Sequence, residues 1–224
     1  MDGFWVVTMS FTLALAKPAK KLSDVRPPSS LLGWYTMTSV LGLIAIDFLF
    51  TVIGLAALNA QDWYQCRKWD PDSAVISSIF LIGDNYETSV IFLITGAQYL
   101  SSAMAFNFGH KHRQPWLYNI PLMAFLVVFF FIHIFIIFVP SELSCFFRVN
   151  CTNEDSLRGA LDSCAAPISN EYNSTVMPED FRVTMFLLIV ANTIAVMLWE
   201  FVIVLGPVGK FFRAMFPQVK PLKL

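Results

Sequence analysis

Charge is scarce in this sequence, and so are the residues from which soluble chemistry is built. Only 14% of its 224 residues are Asp, Glu, Lys or Arg, while 56% are hydrophobic, a balance that excludes an ordinary soluble domain of this length. Histidine occurs three times and cysteine four times. No glycine-rich phosphate loop, HExxH or CxxC pair is present, and no Ser/His/Asp set falls where one surface would gather it, so the chain alone carries no obvious catalytic motif. A signal peptide is not expected either, because no basic stretch precedes the first apolar run and no small-residue cleavage site follows it. Internal repeats and low-complexity stretches are missing too.

What the sequence does have is apolar length. The runs Leu31 to Leu58, Ser89 to Phe106, Ile120 to Val139 and Val183 to Leu205 are each near or above the roughly 20 residues an α-helix needs to cross the hydrocarbon. A fifth run, Gly3 to Ala16, is shorter and begins almost at the first residue; it reads as the cytosolic part of a longer crossing whose start lies upstream. Pro27 and Pro28 break any helix between the first two runs, Gly109 and Pro115 punctuate the third loop, and Pro140 and Pro178 bracket the fourth. The expectation is an all-α membrane protein, a bundle of five transmembrane helices with the first one truncated. In residue numbers the helices are 1–16, 31–58, 89–106, 120–139 and 183–205, with loops 17–30, 59–88, 107–119 and 140–182 and a tail 206–224.

Loop charges alternate in sign. Lys17, Lys20, Lys21 and Arg26 face Asp24 alone in the first loop, Lys111 and Arg113 have no acid in the third, and the tail carries Lys210, Arg213, Lys220 and Lys223 without an acid. The second and fourth loops hold twelve of the sixteen acids. By the positive-inside rule the first loop, the third loop and the tail are cytosolic, and the second and fourth loops are lumenal or extracellular. Cys66, Cys145, Cys151 and Cys164 all fall in those two outer loops, where they are candidates for disulfides with three pairings open. Two N-glycosylation triplets, starting at Asn150 and Asn173, fall in the fourth loop. His110 and His112 sit at a basic membrane edge with no carboxylate or cysteine to complete a metal site, so no metal is expected.

Ionisable groups within the spans need a partner or water, because a charge at the bilayer centre costs about 2.5–3.5 kcal/mol on insertion scales. Asp47 and His133 are mid-span, Glu200 is near the cytosolic end of the last span, and Asp2 precedes Lys17 by fifteen residues, about 22 Å of helix. His133 and Glu200, with Gln98 and Asn192, read as structural polar groups that bond neighbouring helices. Asp47 is open to two readings, a protonated carboxyl in helix packing or part of a substrate path.

Several blocks in order carry a family resemblance. They are Asp2 opening the first run, Lys20-Lys21-Leu22-Ser23 with Arg26-Pro27-Pro28-Ser29-Ser30-Leu31, Asn85-Tyr86-Glu87-Thr88-Ser89-Val90 with Gln98-Tyr99, Arg113-Gln114-Pro115 with Tyr118-Asn119, and Asn192 with Glu200. At this spacing the chain resembles the C-terminal membrane region, helices six to ten, of type-V P-type ATPases of subgroup B, which include lysosomal and endosomal polyamine exporters. The resemblance implies that the chain supplies support helices and part of the path of an ATP-driven pump moving polyamine or another cation from lumen to cytosol. It implies Asp2 as a path residue, since acids of the sixth helix line the polyamine path in the family. ATP and magnesium would be cofactors of the parent pump, not of this chain, which lacks the Asp-Lys-Thr-Gly-Thr phosphorylation loop and the nucleotide and actuator domains. Implied partners are the bilayer, the N-terminal part of the pump and the cation, with an endosomal, lysosomal or vacuolar membrane as its place and the ER or plasma membrane as alternatives; nucleic acid is not expected. The rival expectation is a complete small membrane scaffold or adhesion protein with a disulfide-bonded, glycosylated external loop.

Overall fold

The computed structural model describes residues 2–20, 33–64, 85–108, 113–147, 149–151 and 175–215. Among them all regular structure is helical: α1 Asp2–Ala14, α2 Trp34–Asn59, α3 Tyr86–Phe106, α4 Ile120–Phe138, α5 Glu142–Phe146, α6 Glu179–Leu198 and α7 Pro207–Met215, with a 3-10 turn at Trp116–Tyr118. Four helices, α2, α3, α4 and α6 with its continuation, are long and apolar enough to cross a membrane. Among the described residues the chain is a helical membrane domain. Exposed Leu41, Ile44, Phe48 and Leu49 on α2, with Val128 and Phe131 on α4, are what lipid contact requires and what water would penalise.

Helix boundaries follow polar first turns more closely than the edges of apolar runs. α3 starts at Tyr86, inside the acidic second loop, because the Asn85 side-chain oxygen accepts from Thr88 N at 2.7 Å and caps it. α6 starts at Glu179, with Glu179 and Asp180 in its first turn, where negative charge suits the helix dipole. At the other end α6 does not stop at Leu198 but widens into a π-helical stretch, Trp199–Val204, in which Leu205 N donates to Glu200 O at 2.9 Å. The sequence alone places residues 206–224 in a tail; residues 207–215 of it form α7.

The contacts divide the residues into two compact units, and each long helix contributes a part of itself to each. In the first unit (residues 1–49, 98–130 and 191–224), Met9, Leu100, Leu122, Phe125 and Phe129 form one buried cluster and Leu43, Ala105 and Val196 another. Here the two basic loops meet: Gln114 N donates to Lys17 O at 3.0 Å, and Asn119 Nδ2 donates to Thr12 O at 2.9 Å. In the second unit (residues 50–97 and 131–190), Leu58, Leu93, Ile137, Phe181 and Met185 are the centre of the core. There the second and fourth loops meet, with the Trp63 and Phe181 rings 5.5 Å apart and the Tyr86 hydroxyl donating to Val176 O at 3.4 Å.

The C-terminal end of α4 shows how an apolar helix finishes. Its final carbonyls have no partners within the helix. Asn150 Nδ2 donates to Ile136 O at 2.8 Å and Ile137 O at 2.9 Å, Arg182 Nη1 donates to Phe138 O at 3.0 Å, and the Ser144 hydroxyl donates to Val139 O at 2.7 Å. Asn150 Oδ1 also accepts from Met177 N at 3.1 Å. Its backbone has φ 52°, in the left-handed region that Asn tolerates better than most residues. A disulfide joins Cys145 to Cys151, and the Thr175 hydroxyl accepts from Cys151 N at 3.0 Å, which holds the cap closed.

Asn150, expected from its triplet as a glycan acceptor, is fully buried here, and its side-chain nitrogen serves two carbonyls. Asn173, Cys66 and Cys164 lie outside the described residues. Asn150→Asp keeps the shape but removes both donors and sets carboxylate oxygens against carbonyls. It is expected to lower stability by about 2 kcal/mol in thermal unfolding of the detergent-solubilised chain, with no loss of a glycan-dependent gel shift.

Candidate functional site

The polar groups of the spans are joined to one another or to backbone. In the first unit, Asp47 on α2 is half-buried, and its carboxylate accepts from Asn192 Nδ2 of α6 at 3.1 Å. Ser102 of α3 is a second side-chain partner. The backbone oxygen of Asp47 accepts from Gln98 Nε2 of α3 at 2.7 Å. Three helices thus converge on one carboxylate, and Gln98 and Asn192 are 8% and 2% exposed. Among the described residues Asn192 Oδ1 is buried without a hydrogen-bond partner, an acceptor beside a carboxylate that a donor or cation would complete.

A second polar group lies nearer the end of the last span. Glu200 sits in the π-helical stretch, buried, and the Ser39 hydroxyl donates to Glu200 Oε2 at 2.8 Å. The preceding residue takes part: Trp199 Nε1 donates to Thr38 O at 3.2 Å. The indole lies against Gly42, where a Cβ would overlap it, so the glycine is required by close approach of α2 to the last span. π-helical turns often occur where a side chain must be re-aimed. Here the wider turn carries two consecutive residues, Trp199 and Glu200, that both bond α2.

In the second unit His133 is buried, with Nε2 at 2.7 Å from Leu93 O, and its ring packs over Gly96, whose added Cβ would come within 2.8 Å of Cε1. His133 bonds α3 and faces no acid among its described partners. Asp2 opens α1; its side chain is outside those described. Among the described residues no group of three His, Cys, Asp or Glu is placed to hold a metal ion.

Sequence reasoning singles out Asp47, Gln98, His133, Asn192 and Glu200, and the structure brings Asp47, Gln98 and Asn192 together while Glu200 and His133 each stand with other partners. It misses Ser39, Thr38, Ser102 and Trp199. A serine or threonine in an apolar run carries no signal of its own. The adjacent Trp199 and Glu200 offer the best available hint, two bulky polar-tipped residues in one turn.

No family model matches the chain. It is 31% identical over 151 residues to the polyamine-transporting ATPase 13A3 of Macaca fascicularis, covering 60% of this chain. It is 29% identical over 146 residues to the polyamine-transporting ATPase 13A2 of Mus musculus, and 23% identical over 128 residues to the vacuolar cation-transporting ATPase YPK9 of Saccharomyces cerevisiae. The chain spans about an eighth of the length of the first two relatives (12%) and 8% of the third.

Ser39→Ala removes the donor to a buried carboxyl group and is expected to cost about 2 kcal/mol, read as a lower unfolding temperature of the solubilised chain. Glu200→Gln keeps a partner for Ser39 and should cost less; equal stability of Ser39→Ala and the parent would mean that Glu200 does not depend on that hydroxyl.

Proposed function

For this chain, a membrane-embedded homologue of the type-V P-type ATPases, we propose a role as support helices and part of the cation path of an ATP-driven pump. Polyamine, the cargo named for two of the relatives, is the proposed substrate class, moved from lumen to cytosol across an endosomal, lysosomal or vacuolar membrane. The proposed partners are the bilayer and the remaining N-terminal part of the pump. The observation that carries the reading is the half-buried Asp47 carboxylate beside the orphaned Asn192 Oδ1.

The electrostatics favour this use. A carboxylate inside the membrane attracts an ammonium group more strongly than it would in water, and an ammonium carries three donors. Asp47, Asn192 Oδ1 and Ser102 offer acceptors from three helices. Asp2 on α1 is the second proposed path residue, on the resemblance of its position to the family's sixth helix. The residues do not fit ATP or magnesium: the sequence has no phosphate-cradling loop and the described residues hold no carboxylate cluster. ATP chemistry is therefore assigned to other parts of the pump, with this chain responding through its helices.

In a pump carrying this chain as its membrane part, Asp47→Asn and Asp2→Asn are each expected to raise the spermine concentration for half-maximal ATPase stimulation about tenfold, the loss of one charged hydrogen bond. Stimulation unchanged at every spermine concentration in both variants would remove these acids from the path.

A further inference from the structure

α7 is a helix whose two faces differ sharply. Its spacing places positions 208, 211, 212 and 215, Val, Phe, Phe and Met, on one face, and positions 210 and 213, Lys and Arg, on the opposite one. Phe211 is 58% and Met215 59% exposed, and Lys210 is exposed too. From Gly206 onward the chain carries Lys210, Arg213, Lys220 and Lys223 with no acid.

The helix starts three residues after the π-helical stretch ends at Val204, just past the apolar run 183–205. Its attachment is close and specific. A Cβ on Gly206 would meet Val202 O, with Phe201 O at 2.7 Å, and a Cβ on Gly209 would meet Val204 O, with Ile203 O at 2.9 Å. Backbone of α7 therefore lies directly on the last carbonyls of the span, and only glycine permits that approach. Pro207 at the first helical position fixes the entry.

We propose that α7 is an interfacial helix that lies on the cytosolic leaflet, with the apolar face of Val208, Phe211 and Met215 at the acyl boundary and the basic positions, Lys210 and Arg213, binding anionic phospholipid headgroups. Charge selects this occupant over a protein face, since a basic stretch without acids beside a span is complementary to a negatively charged leaflet. The apolar residues supply depth and the basic residues supply lipid preference. The device would make the end of the last span, where Glu200 and Trp199 bond α2, responsive to lipid charge. It does not depend on the transport reading.

The test is hydrogen exchange of the amides of residues 207–215, with the full chain in phosphatidylcholine nanodiscs and in discs that also contain phosphatidylserine. Protection should rise in the phosphatidylserine discs and fall back at high salt. The variant Lys210→Gln with Arg213→Gln should lose most of that rise, about fivefold for each basic residue removed, while Phe211→Ser with Met215→Ser lowers protection in both discs. Exchange that is indifferent to phosphatidylserine, or a rise that survives removal of both charges, overturns the proposal; protection equal in all discs would assign α7 to a protein contact instead.

Discussion

A helix surrounded by lipid can satisfy a polar group only with another part of the same protein, and this constraint arranges most of the molecule. Backbone groups are satisfied inside each helix except at its ends. The ends then recruit side chains, as Asn150, Arg182 and Ser144 do for the final carbonyls of α4. Polar side chains within the spans are drawn to neighbouring helices for the same reason: Asp47 to Asn192 and Gln98, Glu200 to Ser39, and His133 to a backbone oxygen of α3. Each bond is modest, because the unpacked helix also finds partners in the membrane. Together they set which faces of nearly featureless apolar helices meet.

That featurelessness governs how much of the molecule is legible in its sequence. Among the described residues the four long helices are legible because an apolar run of that length is stable in few places besides a bilayer, while charge alternation gives the loops only an expected sidedness. The structure brings Lys17 to Gln114 and Trp63 to Phe181. Partners of the buried polar residues are not legible, since helices apolar on all sides give no face to orient by. Residues 207–215 pass for tail because their basic charge masks the helical spacing of Val208, Phe211 and Met215. The burial of Asn150 is not legible because a three-residue triplet reports nothing about burial, and its pairing with α4 depends on a chain reversal that the sequence does not announce. Among four cysteines the bond between Cys145 and Cys151 is one of several open arrangements.

The same arrangement links structure to the proposed role. A path for an organic cation needs negative charge held without a rigid cage, and the Asp47 side chain is held by the Asn192 amide and the Ser102 hydroxyl, which are neutral donors. Neutral partners position a carboxylate without consuming its charge, unlike a salt bridge. Glu200 is held in the same way by a hydroxyl. The last span carries both Asn192 and Glu200, so displacement of that helix would alter both groups at once. α7, packed by Gly206 and Gly209 onto its end, is the element best placed to transmit such a displacement.

The most direct measurement is a double-mutant cycle on Asp47→Ala and Asn192→Ala, with stability read from reversible unfolding of the chain in mixed micelles. If polar bonds between helices organise this domain, the two residues are coupled by about 0.6 kcal/mol or more, in the range seen for hydrogen bonds between membrane helices. Strictly additive effects of the two substitutions would contradict the account.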